Sequence, residues 1–217
     1  MANQDYATGQ LVELDACTKC RLCAEVCPAV SASQQAQLSA VWRVAELRRV
    51  VQGRGGRLQR LLGRRPLSIE ALQQFGETVF KCTLCANCEE VCPVGLGLKE
   101  LWLSLRADMV RSGAAFGKVD MIRKNLAANR NVFAEDNEER AAWVEDMRGA
   151  PEAGLVKERA EVVYFTGCVA AYFPMAQKIA TSLAEVLTAC GADFTLLGAD
   201  EWCCGFPLQI AGMGARA

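Results

Sequence analysis

A chain of 217 residues, 52% hydrophobic and 23% charged with a net charge of −1, has the balance of one large or two small soluble globular domains, not of a basic nucleic-acid binder. Charges interrupt every apolar run before it reaches membrane-spanning length. The absence of histidine excludes His-ligated haem, Rieske centres, His-containing zinc sites and Ser-His or Cys-His catalytic pairs, while twelve cysteines leave sulfur as the dominant chemistry.

The N-terminal stretch MANQDYATGQ lacks the basic and apolar regions of a secretory signal. The cysteines are therefore read as reduced thiols in a cytoplasm, free to bind metal. The first cysteine run is CTKCRLCAEVCP, with Cys17, Cys20, Cys23 and Cys27 followed by Pro28. It returns 65 residues later as CTLCANCEEVCP, with Cys82, Cys85, Cys88 and Cys92. In this ferredoxin-type spacing three evenly placed thiolates serve one cubane, and the fourth, before proline, completes the cubane of the other run. One [4Fe–4S] cluster is thus assigned to Cys17, Cys20, Cys23 and Cys92, and a second to Cys82, Cys85, Cys88 and Cys27. Zinc ribbons use paired Cys-x2-Cys units rather than three even spacings plus Cys-Pro, twice over.

The 54 residues between the runs read as helix. Leu38, Val41, Trp42, Ala45 and Val50 recur at helical spacing, and Gly53, Gly55 and Gly56 end the segment. Eight arginines and one acid, Glu46, fall between Arg43 and Arg65. They read as a solvated helix and turn, with cluster stabilisation, an acidic partner or anionic lipid as the alternatives. LSIEALQQFGETVF is an amphipathic helix capped by Ser68, and Leu98, Leu101, Trp102, Leu105 and Met109 line another. Lys19 and Lys81 abut the ligands, where positive charge favours a reduced cluster. The tryptophans at 42, 102 and 143 read as core residues. Residues 1–115 thus form an all-helical two-cluster ferredoxin domain.

Residues 116–160 are polar and acidic and read as a solvated connector, pinned at most by Phe133 and Trp143. From Glu161 the pattern becomes α/β. EVVYFTGC reads as a short buried strand and Pro174 as the first turn of a helix. Ile179, Leu183, Val186, Leu187 and Cys190 share a face of that helix, with Cys190 a small core residue. Gly191 stops it, and ADFTLL is the next strand. Strand–helix–strand predicts the beginning of a Rossmann-like parallel sheet over 161–217 and an α+β chain as a whole. Cys168, Cys203 and Cys204 fall after the strands, where open parallel sheets place their sites, and read as a shared metal site. Trp202 stands ready to shield it from water.

Two such runs followed by TGC and EWCCG resemble the iron–sulfur subunits of heterodisulfide reductase. The helical part resembles the C-type subunit and the part from Glu161 the start of the B-type subunit; fused, they make the D type. Relatives include the sulfite-reductase-associated membrane complex and the iron–sulfur subunits of glycolate, lactate and glycerol-3-phosphate oxidation. PAVSASQQAQ after the first run, where the glycolate branch often has PRGR, tilts the likeness away from that branch. The resemblance implies an oxidoreductase subunit that passes electrons through two cubanes toward a CCG-domain disulfide or thiol redox site. It implies a third, noncubane [4Fe–4S] cluster at Cys168, Cys203 and Cys204. Expected partners are other oxidoreductase subunits: a flavin or ferredoxin-type donor and a membrane subunit holding the complex at the membrane periphery. The family pattern continues with a Cys-x-x-Cys, which the thirteen residues after Cys204 do not contain. The expectation is of a chain cut short with an incomplete CCG site, or of a noncatalytic electron-wiring adaptor.

Overall fold

The structure is a computed structural model that describes residues 6–53, 67–115 and 118–214. The chain divides into two compact units, Met1–Gly117 with Leu208–Ala217, and Lys118–Pro207. Gly55, Gly56 and the arginines at 54, 57, 60, 64 and 65 lie outside the described residues.

The first unit is helical: α1 (Thr8–Ala16), α2 (Leu22–Glu25), α3 (Pro28–Ser33), α4 (Ala40–Gly53), α5 (Ile69–Phe80), α6 (Asn87–Glu90) and α7 (Leu98–Arg111). Ser68 caps α5 as its sequence predicts, its hydroxyl accepting from the Ala71 N–H at 3.2 Å. Leu98, Leu101, Trp102, Leu105 and Met109 of α7 are all buried, packed with Val44, Leu47 and Val50 of α4 and Phe75 and Val79 of α5. The buried stripe of α4 is rotated from the expected one. It runs through Ala40, Arg43, Val44, Leu47 and Val50, leaving Val41, Trp42 and Ala45 half-buried. Trp42 instead meets Phe75 edge-on, with ring centroids 5.8 Å apart. Gly76 lets α5 approach the chain after α7, because a Cβ there would collide with the Ala114 carbonyl.

The second unit begins with α8 (Lys118–Asn129) and a 3-10 run at Asn137–Asp146. The stretch read as a solvated connector is therefore folded. Trp143 is 2% exposed and packs with Leu155, Phe194 and Leu196. No sustained apolar period announces it, because a single large aromatic anchors the segment rather than a stripe. β1 (Val162–Tyr164) and β2 (Phe194–Leu196) pair in parallel, with Val162 opposite Phe194 and Tyr164 opposite Leu196. Two helices lie between them, α9 (Cys168–Tyr172) and α10 (Pro174–Ala189), and α10 starts on Pro174 as expected.

Two details differ from the expected βαβ unit. β2 is buried, but Val162 and Val163 of β1 are 44% and 55% exposed. On α10 the residues facing the core are Ala180 and Ala184, both 0% exposed, while Ile179, Leu183 and Val186 point outward. Small side chains face the core cluster of Trp143, Phe194 and Leu196, and the bulkier stripe is turned away. Cys190 follows that outward side and is exposed rather than a core residue.

Because Trp143 anchors the second core, Trp143→Ala should lower the unfolding free energy by about 3–5 kcal/mol. A solvated connector would shift it by only about 0.5 kcal/mol. Urea unfolding monitored by circular dichroism distinguishes the two.

Candidate iron–sulfur centres

The two cysteine runs fold alike down to their backbone angles. Cys17 caps the C-terminal end of α1, after which Lys19 and Arg21 take φ of 60° and 71°. At the corresponding places of the second run, Leu84 and Ala86 take 56° and 65°. Non-glycine residues in this left-handed region are uncommon, at a cost on the order of 1 kcal/mol each. Left-handed residues spaced through a turn make the backbone nests that cradle anions, iron–sulfur sites among them. Arg21 and Ala86 then start the short helices α2 and α6 that carry Cys23 and Cys88.

Two cavities result. Cys17, Cys20, Cys23 and Cys92 line the first. Cys82, Cys85, Cys88 and Cys27 line the second. Each cavity thus meets three thiols of its own run and the fourth of the other. Among the described residues no group of His, Cys, Asp or Glu side chains converges as a single metal ion requires. A tetrahedral zinc ion, with bonds of about 2.3 Å, would draw its sulfurs to about 3.8 Å from one another. A cube with irons at separate corners spreads its thiolates more widely, so the donor arrangement fits the cluster better than the ion.

The side chains behind the second cavity also fit an anionic group. Arg43 lines it, is 2% exposed, donates through Nη2 to the Leu38 carbonyl and stacks over Trp102, 5.1 Å from the ring centroid. Its Nε and the Trp102 indole N–H are buried without a hydrogen-bond partner. Arg106, 5% exposed, donates to the carbonyls of Val79 and Cys82. Among the described residues no carboxylate forms a salt bridge with Arg43 or Arg106. Burial raises the Cys23 and Cys88 thiols, Cys88 to about 11. At Cys88 the indole N–H of Trp102 and the charge of Arg43 oppose the rise. That indole therefore faces the sulfur although it falls short of a hydrogen bond with it.

The third candidate site lies in the second unit. Cys168, buried, opens α9 directly after Gly167, whose φ is +77°. Arg140 Nη2 stands 3.4 Å from its sulfur. The same guanidinium pairs through Nε with Glu201 at 3.0 Å, and both side chains are fully buried. Glu201 in turn accepts from the backbone N–H groups of Thr166 and Gly167 at 2.9 and 2.8 Å, clamping the turn before Cys168. Cys203 is half-buried, and burial followed by the neighbouring Cys168 thiol raises it to about 11. Cys204 faces solvent. Trp202 is 57% exposed and lies against the Arg130 guanidinium. Cys168 and Cys203 are thus brought together, whereas Cys204 stands outside and the three supply only part of a ligand set.

Sequence reading missed Arg43, Arg140 and Glu201. Arg43 had a usable signal, since it shares helical spacing with Ala40, Leu47 and Val50. Arg140 had none, because its partner lies 61 residues away. Removing one member of a buried ion pair strands the other, so Glu201→Ala should lower stability by about 3–5 kcal/mol in urea unfolding. Cys88 adds a pH dependence to the metal-free protein. Its folded pKa lies above the ordinary 9.0, so its contribution is complete below pH 9 and is lost as pH rises through about 11. Thermal melts of the metal-free protein should fall across that window, and fall less in Cys88→Ala.

Comparison with known proteins accords with these two regions. The family described as "4Fe-4S dicluster domain" matches residues 13–96, and the one described as "Cysteine-rich domain" matches residues 162–216. The chain is 38% identical to the D-type subunit of the dihydromethanophenazine:CoB–CoM heterodisulfide reductase of Methanosarcina acetivorans, over 94% of this chain and 48% of that protein. Its counterpart in Methanosarcina mazei is 36% identical over the same shares. The EtfAB:quinone oxidoreductase of Syntrophomonas wolfei is 24% identical over 93% of this chain and 32% of its own length. No solved structure matches. The chain spans about half the length of the Methanosarcina relatives it matches. Both cysteine regions are thus shared, in order and across nearly all of this chain's residues, with the D-type iron–sulfur subunits of heterodisulfide reductase, to which the chain is similar.

Proposed function

We propose that this chain carries electrons between redox partners through two [4Fe–4S] cubanes, one on Cys17, Cys20, Cys23 and Cys92 and one on Cys27, Cys82, Cys85 and Cys88. The observation that carries this reading is the exchange of the fourth cysteine between the two cavities. Clusters bound there supply one-electron, outer-sphere transfer. The chain's own contribution is to bind and tune. The left-handed turns curl each run around its hollow, the Cys-Pro steps carry Cys27 and Cys92 across, and the core built on α4, α5 and α7 excludes water.

The family points to an oxidoreductase complex in which electrons enter from a flavin or ferredoxin-type partner. They leave toward the site of Cys168, Cys203 and Cys204, where the substrate would be a disulfide or thiol. The similarity to the two Methanosarcina proteins, whose name specifies the CoB–CoM heterodisulfide, supports that substrate class. No described helix is long and apolar enough to cross a membrane.

Anaerobic purification followed by iron and acid-labile sulfide determination, with EPR of the reduced protein, tests the proposal. About eight irons with two interacting cubane signals are expected, and about twelve with a further signal on thiol oxidation would mean a completed third centre. Zinc in place of iron would overturn the cluster reading altogether.

A further inference from the structure

The two cavities share a backbone plan but not an electrostatic one. In the first, the buried side chains of the lining are aliphatic: Ala40, Val44, Leu96 and Leu98. Its cations, Lys19 and Arg21, are exposed, so water and salt screen them. In the second, Arg43 is buried in the wall without a carboxylate partner among the described residues, and its neighbour Trp102, lining the same cavity as Cys88, has a buried N–H without a hydrogen-bond partner. Arg106 adds a second buried guanidinium bonded to the Cys82 carbonyl.

An unpaired charge is costly to bury, and an orphaned donor beside it adds to the cost. Both costs are lifted if the cavity holds an anion whose sulfurs accept from the donor. The compensation grows when that anion gains another negative charge, because the low-dielectric wall screens Arg43 far less than water screens Lys19 and Arg21. A buried cation and an N–H donated to sulfur each favour the reduced form of a cluster.

We infer that Arg43 and Trp102 make the centre held by Cys27, Cys82, Cys85 and Cys88 the higher-potential member of the pair. This deepens the two-cubane reading and rests on it. Reduction is a one-electron step at each centre, with the electron supplied by the redox partner and no bond made or broken. Electrons therefore settle first at the second centre, and the centre with three ligands from the first run is the harder of the two to reduce.

The test is a reductive potentiometric titration of the whole loaded chain, followed by EPR, in the wild type and in Arg43→Gln, Arg43→Lys and Trp102→Phe. Arg43→Gln should lower the more positive midpoint by at least a tenfold change in its reduction equilibrium, about 59 mV. The more negative midpoint should move less. Arg43→Lys, which keeps the charge, should recover part of the shift. Trp102→Phe, which keeps the ring and removes only the N–H, should lower the same midpoint by a smaller amount. If Arg43→Gln does not load its clusters, the lysine and phenylalanine variants decide the matter. A larger movement of the more negative midpoint, or no movement of either in the loaded variants, overturns the assignment. Iron content of the same samples separates the two failures: fewer than about eight irons in the wild type would refute the two-cubane reading itself.

Discussion

The fold of the first unit depends on one exchange: the cysteine before each Cys-Pro step lines the cavity of the other run. Cys27 and Cys92 lie 65 residues apart in the chain, so the exchange closes a long loop that contains α4 and α5. The proline after each of these cysteines has its φ preset and no N–H to satisfy. After Cys27 that proline becomes the first residue of α3, which turns the chain sharply at the point where the thiol must leave its own run. The left-handed residues within each run serve the same end at a local cost in strain. A helical core and a pair of thiol-lined hollows are therefore one construction, since neither run completes its hollow alone.

Buried charge is handled in two ways in this chain. In the second unit, Arg140 and Glu201 neutralise each other, and Glu201 spends its remaining acceptor capacity on the backbone before Cys168. That closed network makes the turn rigid and aims a guanidinium at one sulfur. In the first unit, Arg43 is left without an acid, its charge met by a carbonyl and an aromatic face. The paired arrangement stands complete without a ligand, while the unpaired one is complete only with an anion in the adjoining cavity. This contrast separates a positioning device from a tuning one.

Several expectations were legible because they depend on short stretches of chain. Ser68 as a helix cap, Pro174 at the start of α10, the stripe of α7 and the strand–helix–strand order all follow from local spacing and turn chemistry. The failures are equally physical. The segment from 118 to 160 looks solvated because Trp143 and Arg140 act singly, without a periodic stripe. On α10 the bulky residues Ile179, Leu183 and Val186 look like the core face, yet Ala180 and Ala184 take it, packed in the cluster of Trp143, Phe194 and Leu196. Arg43 looks solvated by composition, and only its register with Leu47 and Val50 says otherwise.

The sequence by itself determines the cysteine pattern and the likeness that rests on it. The number, type and spacing of cysteines are local properties, and the absence of histidine removes the His-containing ligand sets outright. Tertiary structure alone decides which charges leave water. Arg43 meets Trp102 and Arg140 meets Glu201 across about sixty residues of chain, and burial at such distances depends on how whole elements pack. Periodicity can place Arg43 on the apolar stripe of α4 but records nothing of its partner, because a helix presents its faces without specifying what will cover them.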